Sequence, residues 1–374
     1  LKSIILPDFE SSILKELEKV IKENYNFLVI SGGLGPTHDD ITKSVLSSFF
    51  KSPLIIDKEH QKKIKKRFEN LHEEYKRHKV KKNQKGFSSQ SMILKDFKPI
   101  NNEFGTALGM LGEFKKTKVV VLPGVPKELK QMFRDEIIAN YISEKESLST
   151  ITLKTTGITE SKLYLLLESL VSKNKKNFKF SFLPHFSGVN VRVLKLNKGS
   201  SMDTMINDLK EKITPYFYGQ NDDSLESIVS NLLIKKNIKI SIAESCTGGL
   251  LSKKLTDFSG SSKYMLGSVV AYSEDIKNSL LKVPNKILIE NGAVSSETAL
   301  IMSKSVTEIF NADIGISITG ISGPTGESDE KPIGLYYISI KNNKNHFFKK
   351  FIFNINGRSI HREVAVATAL NLIR

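Results

Sequence analysis

Tryptophan is absent from the 374 residues, cysteine occurs once, at Cys246, and arginine supplies only seven of the 56 basic side chains. One cysteine can neither close an internal disulfide nor build a Cys-rich zinc site, and it fits a reducing compartment. No run approaches the roughly 18 apolar residues that a membrane helix requires, and no basic, apolar, small-residue signal segment opens the sequence. No membrane association is expected, and the cytoplasm is the expected location. The scarcity of arginine bears on charge. A formal net charge of +16 and a pI near 9.5 raise nucleic acid or an anionic substrate as a partner. Yet 49 of the basic residues are lysine. Arginine is the bidentate phosphate and base reader, whereas scattered lysine is usually a solvated face. A general lysine bias is the favoured account, and nucleic acid is not expected as a partner.

What is present describes a soluble globular protein of more than one domain. The mass of 41.9 kDa exceeds one ordinary core, and 39% hydrophobic with 26% charged residues excludes a disordered tail. The chain divides by period into residues 1–146, 147–221 and 222–374. In the first part the apolar runs FLVIS (27–31) and VVVL (119–122) are each followed by a Gly/Pro loop and a helical pattern, over 41–50 and 127–133. Strand, glycine loop and helix make the unit of a mostly parallel α/β sheet. Between them, residues 57–85 form a charge-dense helical stretch that reads as a solvated arm. The second part alternates short strands and helices, an α+β module without a catalytic constellation. The third begins with a helix over 224–236. Strands over 238–243, 266–272 and 314–319, helices over 246–258, 274–282 and 296–310, a hairpin over 335–340 and 347–353, and a closing helix over 358–373 follow.

Open α/β sheets bind ligands beyond the carboxyl ends of their strands. Three such ends in the third part are rich in small and polar residues: Ala243-Glu244-Ser245-Cys246-Thr247-Gly248-Gly249, then Ala271 to Lys277, then Thr319-Gly320 to Gly326. Ser245 at a strand-to-helix turn has the placement of a nucleophile, with backbone N–H groups of Cys246 or Thr247 facing a developing oxyanion. His346 is the one histidine in this part before the final helix, which argues against a Ser-His-Asp triad. Lys277 is the better base: Ser273 caps its helix, and the positive dipole end would lower the amine's pKa. From physics alone, a capping serine and a solvated lysine are the commoner readings of these two residues.

The runs AESCTGG (243–249), SGSSKYMLGSVVAYSEDIK (259–277), NGAVS (291–295) and ITGISGPTGESDEKPIG (318–334) together resemble the C-terminal domain of the CinA family, the nicotinamide-mononucleotide deamidase. The resemblance covers nearly all of 222–374. It implies a three-layer α/β domain that hydrolyses the carboxamide of nicotinamide mononucleotide to nicotinate mononucleotide and ammonia without a cofactor, for pyridine-nucleotide salvage. It makes Ser245 the nucleophile and Lys277 its base, reversing the order above. Tyr272 and Glu244 join them, with Cys246, Thr247, Gly248, Gly249, Thr319, Gly320 and Arg358 on the substrate side. Arg358 suits the substrate phosphate.

Upstream, SGGLGPTHDDITK (31–43), NNEFGTALG (101–109) and LPGVPKEL (122–129) resemble the molybdopterin-binding-like domain of full-length CinA proteins, which the family associates with a metal-dependent ADP-ribose pyrophosphatase activity. Gly32, Gly33 and Gly35 would face an anion, and Asp39 and Asp40 would hold a Mg²⁺-type ion on a diphosphate. Helix capping is an equal account of the two aspartates. Family members usually open with a further strand and helix, carrying a Gly-x-Glu-Leu-Leu type stretch and an Asn-Thr-Asn stretch, so weak or absent pyrophosphatase activity is expected here. The middle part is similar to the family's small KH-like linking domain. A DNA-associated competence accessory protein and a molybdopterin-binding protein are the competing functions, and a homodimer is the expected assembly.

Overall fold

Val119, Val120, Val121 and Leu122 are fully buried in a single strand, and the first sheet forms around them. The computed structural model describes residues 2–75, 88–142, 149–197 and 199–374. They divide into two units, Leu1–Ser147 and Leu148–Arg374. In the first unit the strands are β1 (Phe27–Ser31), β2 (Leu54–Ile56), β3 (Met92–Leu94), β4 (Lys98–Ile100), β5 (Gly109–Phe114) and β6 (Thr117–Leu122). The main sheet has the order β1-β6-β5-β4, and β2 pairs with β3. Only β1 and β6 run parallel; β5–β6 and β4–β5 are antiparallel. The mostly parallel sheet expected for this part is therefore corrected to a mixed one. Two residues separate β5 from β6, and a connection that short can only reverse the chain. The helices Glu10–Lys22 and Thr42–Phe50 pack on this sheet through Leu17, Val45 and Leu46. The charged stretch begins as the helix Lys58–Tyr75, and its part from residue 76 to 85 lies outside the described residues.

The second unit holds two sheets. The smaller, β7 (Thr150–Thr155), β8 (Phe178–His185), β9 (Gly188–Lys195) and β10 (Phe217–Gln220), is antiparallel throughout in the order β10-β7-β9-β8. The helices Glu160–Asn174 and Met202–Ile213 supply Leu163, Leu167, Ile206 and Leu209 to its core. The larger comprises β11 (Ile240–Glu244), β12 (Met265–Val270), β13 (Ile314–Gly320), β14 (Leu335–Asn342) and β15 (His346–Ile352) in the order β12-β11-β13-β14-β15. β11 lies parallel to both β12 and β13, and β14 and β15 form the expected hairpin.

Alternation along these strands builds three layers. Ile240, Ile242, Ile316, Ile318 and Ile338 face the helices Leu225–Lys235 and Arg358–Ile373. On the other face small residues let the helix Ser296–Phe310 approach closely: Ser241 Oγ donates to the Val306 carbonyl and Ser317 Oγ to that of Ala299. A Cβ at Gly315 would lie 2.3 Å from the Ser303 carbonyl oxygen, so only glycine fits there. Among the described residues no helix is long and apolar enough to cross a membrane.

Candidate active site

The end of β11 lies between two parallel neighbours, whose ends it joins. Ala271 N–H donates to the Glu244 carbonyl at 2.8 Å and Ser245 N–H to the Ile318 carbonyl at 3.0 Å. The helix expected from Cys246 onward does not start there. Gly248 and Gly249 adopt φ of +57° and +89°, left-handed values that glycine takes without steric penalty. Residues 246–249 form a turn, and the helix runs Leu250–Thr256. The turn closes through Gly248 N–H to the Ser245 carbonyl at 3.0 Å. Among the described residues, no backbone carbonyl pairs with the N–H of Cys246 or Thr247. Two such N–H groups directly after a serine are the donor set that a developing oxyanion needs.

Lys277 comes to Ser245 from the neighbouring strand end. Ser273 caps the helix Glu274–Ser279, its Oγ accepting from Ile276 N–H at 3.3 Å, and Lys277 points inward with only 1% of its surface exposed. Its Nζ lies 3.0 Å from Ser245 Oγ, 2.7 Å from the Ala271 carbonyl oxygen and 3.2 Å from that of Tyr272. Burial lowers the amine's pKa below its ordinary value, against the opposing influence of Cys246 and Glu274. The direction is the one expected from the sequence, with burial as the cause named first. As an ammonium, Nζ donates to all three oxygens; deprotonated, it would keep the two carbonyls and turn its lone pair to the Ser245 hydroxyl.

The remaining residues divide between support and rim. Glu244 is fully buried, and its carboxylate accepts from Leu251 N–H, Ser252 N–H and the Ser252 hydroxyl at 3.1, 2.8 and 2.6 Å. These bonds tie its carboxylate to the start of the helix Leu250–Thr256. Thr319 donates its hydroxyl to the Ala293 carbonyl at 2.7 Å and so ties the NGAVS turn to the end of β13. At Gly320 a Cβ would meet the Tyr336 ring at 2.4 Å, so this glycine serves packing. Cys246 is buried, and burial pushes its thiol up to about 12, which keeps it protonated beside the serine. Tyr272 is exposed, and its hydroxyl accepts from Arg358 Nη2 at 2.7 Å. Arg358 Nη1 donates to the Gly323 carbonyl at 2.8 Å. No ion pair of Arg358 with a carboxylate is found among the described residues.

Two residues around this strand end escaped the sequence reading. His361, from the last helix, does reach a strand end: its Nδ1 lies 3.0 Å from the Ser322 carbonyl oxygen and its Nε2 3.1 Å from that of Phe353. Both nitrogens face carbonyls, so it staples the 319–326 loop and is no base for Ser245. Arg362, one turn beyond Arg358, grips the Thr247 carbonyl through Nε and Nη2 at 3.2 and 2.5 Å. Its position four residues after Arg358 was the available signal.

Three family descriptions match in order along the chain: a probable molybdopterin binding domain over residues 2–142, the damage-inducible protein CinA KH domain over 150–219 and the CinA C-terminal domain over 222–374. A CinA-like protein of Prochlorococcus marinus is 36% identical over 373 residues, which is 97% of this chain and 86% of that protein. The chain belongs to the CinA family. A CinA-like protein of Thermosipho melanesiensis is 32% identical over 371 residues, 99% of this chain and 88% of that one. Among solved structures, the competence/damage inducible protein CihA from Agrobacterium tumefaciens is 34% identical, covers 40% of this chain and 94% of its own, and gives a TM-score of 0.39.

The three upstream runs that resemble full-length CinA proteins converge in the first unit. They line a cavity of about 580 Å³ with Gly32, Gly33, Gly35 and Asp40, with Phe104, Gly105 and Thr106, and with Gly124 and Glu128. Gly32 and Gly33 have φ of +99° and +64°. Asp40 accepts from Thr37 N–H and its hydroxyl at 3.0 and 2.5 Å, which shapes the glycine loop. Asp39 is exposed and lies outside the lining. Of the expected pair, Asp40 alone lines the cavity. Among the described residues, no three His, Cys, Asp or Glu side chains converge as a metal cage. Lys43, unnoticed in the sequence, is buried behind Asp40. It donates to the Ser89 carbonyl at 2.8 Å, and burial lowers its amine to about 8.

Proposed function

We propose that the chain is a nicotinamide-nucleotide amidase, which converts nicotinamide mononucleotide to nicotinate mononucleotide and ammonia. The observation that carries this reading is the buried Lys277 amine, 3.0 Å from Ser245 Oγ and anchored by the carbonyls of Ala271 and Tyr272. A base so placed takes the serine proton as Oγ attacks the carboxamide carbon. The oxyanion forms against the N–H groups of Cys246 and Thr247. Lys277, now an ammonium, returns the proton to the leaving nitrogen, ammonia departs, and a nicotinoyl ester remains on Ser245. Water attacks that ester with Lys277 again as base, which releases the acid and restores the serine. Arg358 holds the substrate phosphate from the rim, and Tyr272 orients Arg358 through their 2.7 Å hydrogen bond. Purified protein incubated with nicotinamide mononucleotide should release ammonia and nicotinate mononucleotide in equal amounts. Absence of both refutes the reading.

The glycine-lined cavity of the first unit supports a second, separate reading as a diphosphate pocket acting on ADP-ribose. Gly32 and Gly33 allow backbone to approach phosphate closely, and a divalent ion would arrive with the ligand rather than on a preformed cage. Divalent-dependent release of AMP from ADP-ribose tests it.

A further inference from the structure

We propose that Arg362 is a positioning residue which holds the oxyanion-binding turn after Ser245 in its working shape. The inference deepens the function proposed above, and it rests on Ser245 being an acyl-transfer nucleophile. Arginine is rare in this chain, yet this one spends two of its donors on a single backbone oxygen. Nε and Nη2 both reach the Thr247 carbonyl, which also accepts from Leu250 N–H at 3.2 Å. The other side of the same peptide group, Gly248 N–H, is bound to the Ser245 carbonyl at 3.0 Å. The peptide joining Thr247 to Gly248 is therefore held at both ends. It closes the four-residue turn whose two inner N–H groups, on Cys246 and Thr247, have no backbone acceptor among the described residues.

The fit is specific to the guanidinium. At Gly248, whose φ is +57°, a Cβ would lie 3.2 Å from Arg362 Nη2, so the glycine leaves room for the planar group. Arg362 forms no ion pair among the described residues, and its hold on the carbonyl is the contact that fixes it. Lysine, a point donor on a flexible stem, cannot supply two parallel N–H bonds to one oxygen. Arg362 acts through Thr247 and does not touch the reacting atoms. Losing it should free the turn and misdirect the N–H groups, and misplacement on the scale of 1 Å lowers rates on the order of 10²-fold.

The test uses the full chain carrying Arg362→Lys or Arg362→Ala. Hydrolysis of nicotinamide mononucleotide and of nicotinamide riboside is followed, together with the rate at which a fluorophosphonate labels Ser245. The expected result is a kcat lowered by about 10²-fold on both substrates with KM little changed, and labelling slowed in parallel. Added ethylguanidinium should restore part of the rate to Arg362→Ala, which a general loss of folding would not permit. A loss confined to KM for the mononucleotide and absent with the riboside would make Arg362 a phosphate ligand and overturn the proposal. Wild-type labelling rates in both variants would overturn it as well. If the unaltered protein is labelled at Ser245 but releases no ammonia from the mononucleotide, the amidase reading falls while the labelling rates still decide the role of Arg362. If Ser245 is not labelled at all, both fall.

Discussion

Replacing Lys277 by methionine separates its chemical role from its structural one. Methionine keeps an unbranched side chain of similar length and removes the amine. Loss of a nucleophile's activator lowers kcat by roughly 10⁴- to 10⁶-fold. Stability should respond far less, because two effects oppose each other. The folded-state pKa of Lys277 lies below the ordinary 10.5, and burial is the main cause. Between the folded value and 10.5 the unfolded chain binds more protons, so stability rises with pH across that window. Below the folded value the penalty stands in full, at about 1.4 kcal/mol for each unit of depression. Lys277→Met removes that penalty but takes the donor from the carbonyls of Ala271 and Tyr272, which costs roughly 1–3 kcal/mol apiece. A folded protein at pH 7, with a melting temperature that no longer rises with pH through this group, is the expected outcome. Ammonia release by the wild type should increase with pH up to a plateau, since only the deprotonated amine accepts the serine proton. Lys277→Arg, which cannot deprotonate, should be as inactive as Lys277→Met, and Ser245→Ala combined with either should be little worse than one change alone. Near-normal turnover by Lys277→Arg, or a rate that falls as the pH rises toward the plateau, would refute the Ser-Lys mechanism.

The Cys246 thiol, pushed up to about 12, should resist iodoacetamide at pH 8, and Cys246→Ala should keep kcat within about tenfold; rapid alkylation would contradict its burial. A fragment of residues 222–374 should retain ammonia release, because Ser245, Lys277 and Arg358 all lie within it. It should melt lower than the full chain, since Arg374 loses the carbonyls of Phe217 and Pro215. A folded but inactive fragment would show that the smaller sheet completes the site. Hydrolysis of ADP-ribose by the full chain should be weak, need a divalent ion and fall further on Asp40→Asn, as the carboxylate that orders Thr37 is lost. Robust metal-independent turnover would contradict the reading of that pocket.

The sequence revealed those parts of the molecule that periodicity controls. The helix Ser296–Phe310 and the helix Arg358–Ile373 fall at the bounds expected, because apolar spacing and flanking turns mark both. β10 went unseen: four residues, two of them aromatic, carry too little period to stand out from the turn that follows. The helix drawn from Cys246 erred because composition does not encode the left-handed φ of Gly248 and Gly249. The dyad residues were nameable from the strand ends and from the resemblance, but the number of carbonyls around Nζ was not. That number depends on how the Ala271–Tyr272 peptide turns out of β12, a tertiary fact. Glu244 shows the converse, since a buried carboxylate beside a nucleophile suggests catalysis until its oxygens are found on a helix start. Arg362 and His361 contact backbone oxygens on distant segments, and beyond the spacing of Arg362 from Arg358 no local pattern marks such a contact.

Ser245 and Lys277 lie 32 positions apart and leave adjacent parallel strands, so one β–α–β crossover carries both of them. Short sequence separation means a small loop-closure penalty, and such contacts form early on the folding path. Ser245 and Lys277 should therefore meet before β14 and β15 have docked, while Arg358 and Arg362 arrive with the last helix. A chain emerging from the ribosome would bring this pair together first and add the two guanidinium groups last. Until that helix seats, Ser245 and Lys277 stand together without the guanidinium contacts to the Thr247 carbonyl and the Tyr272 hydroxyl.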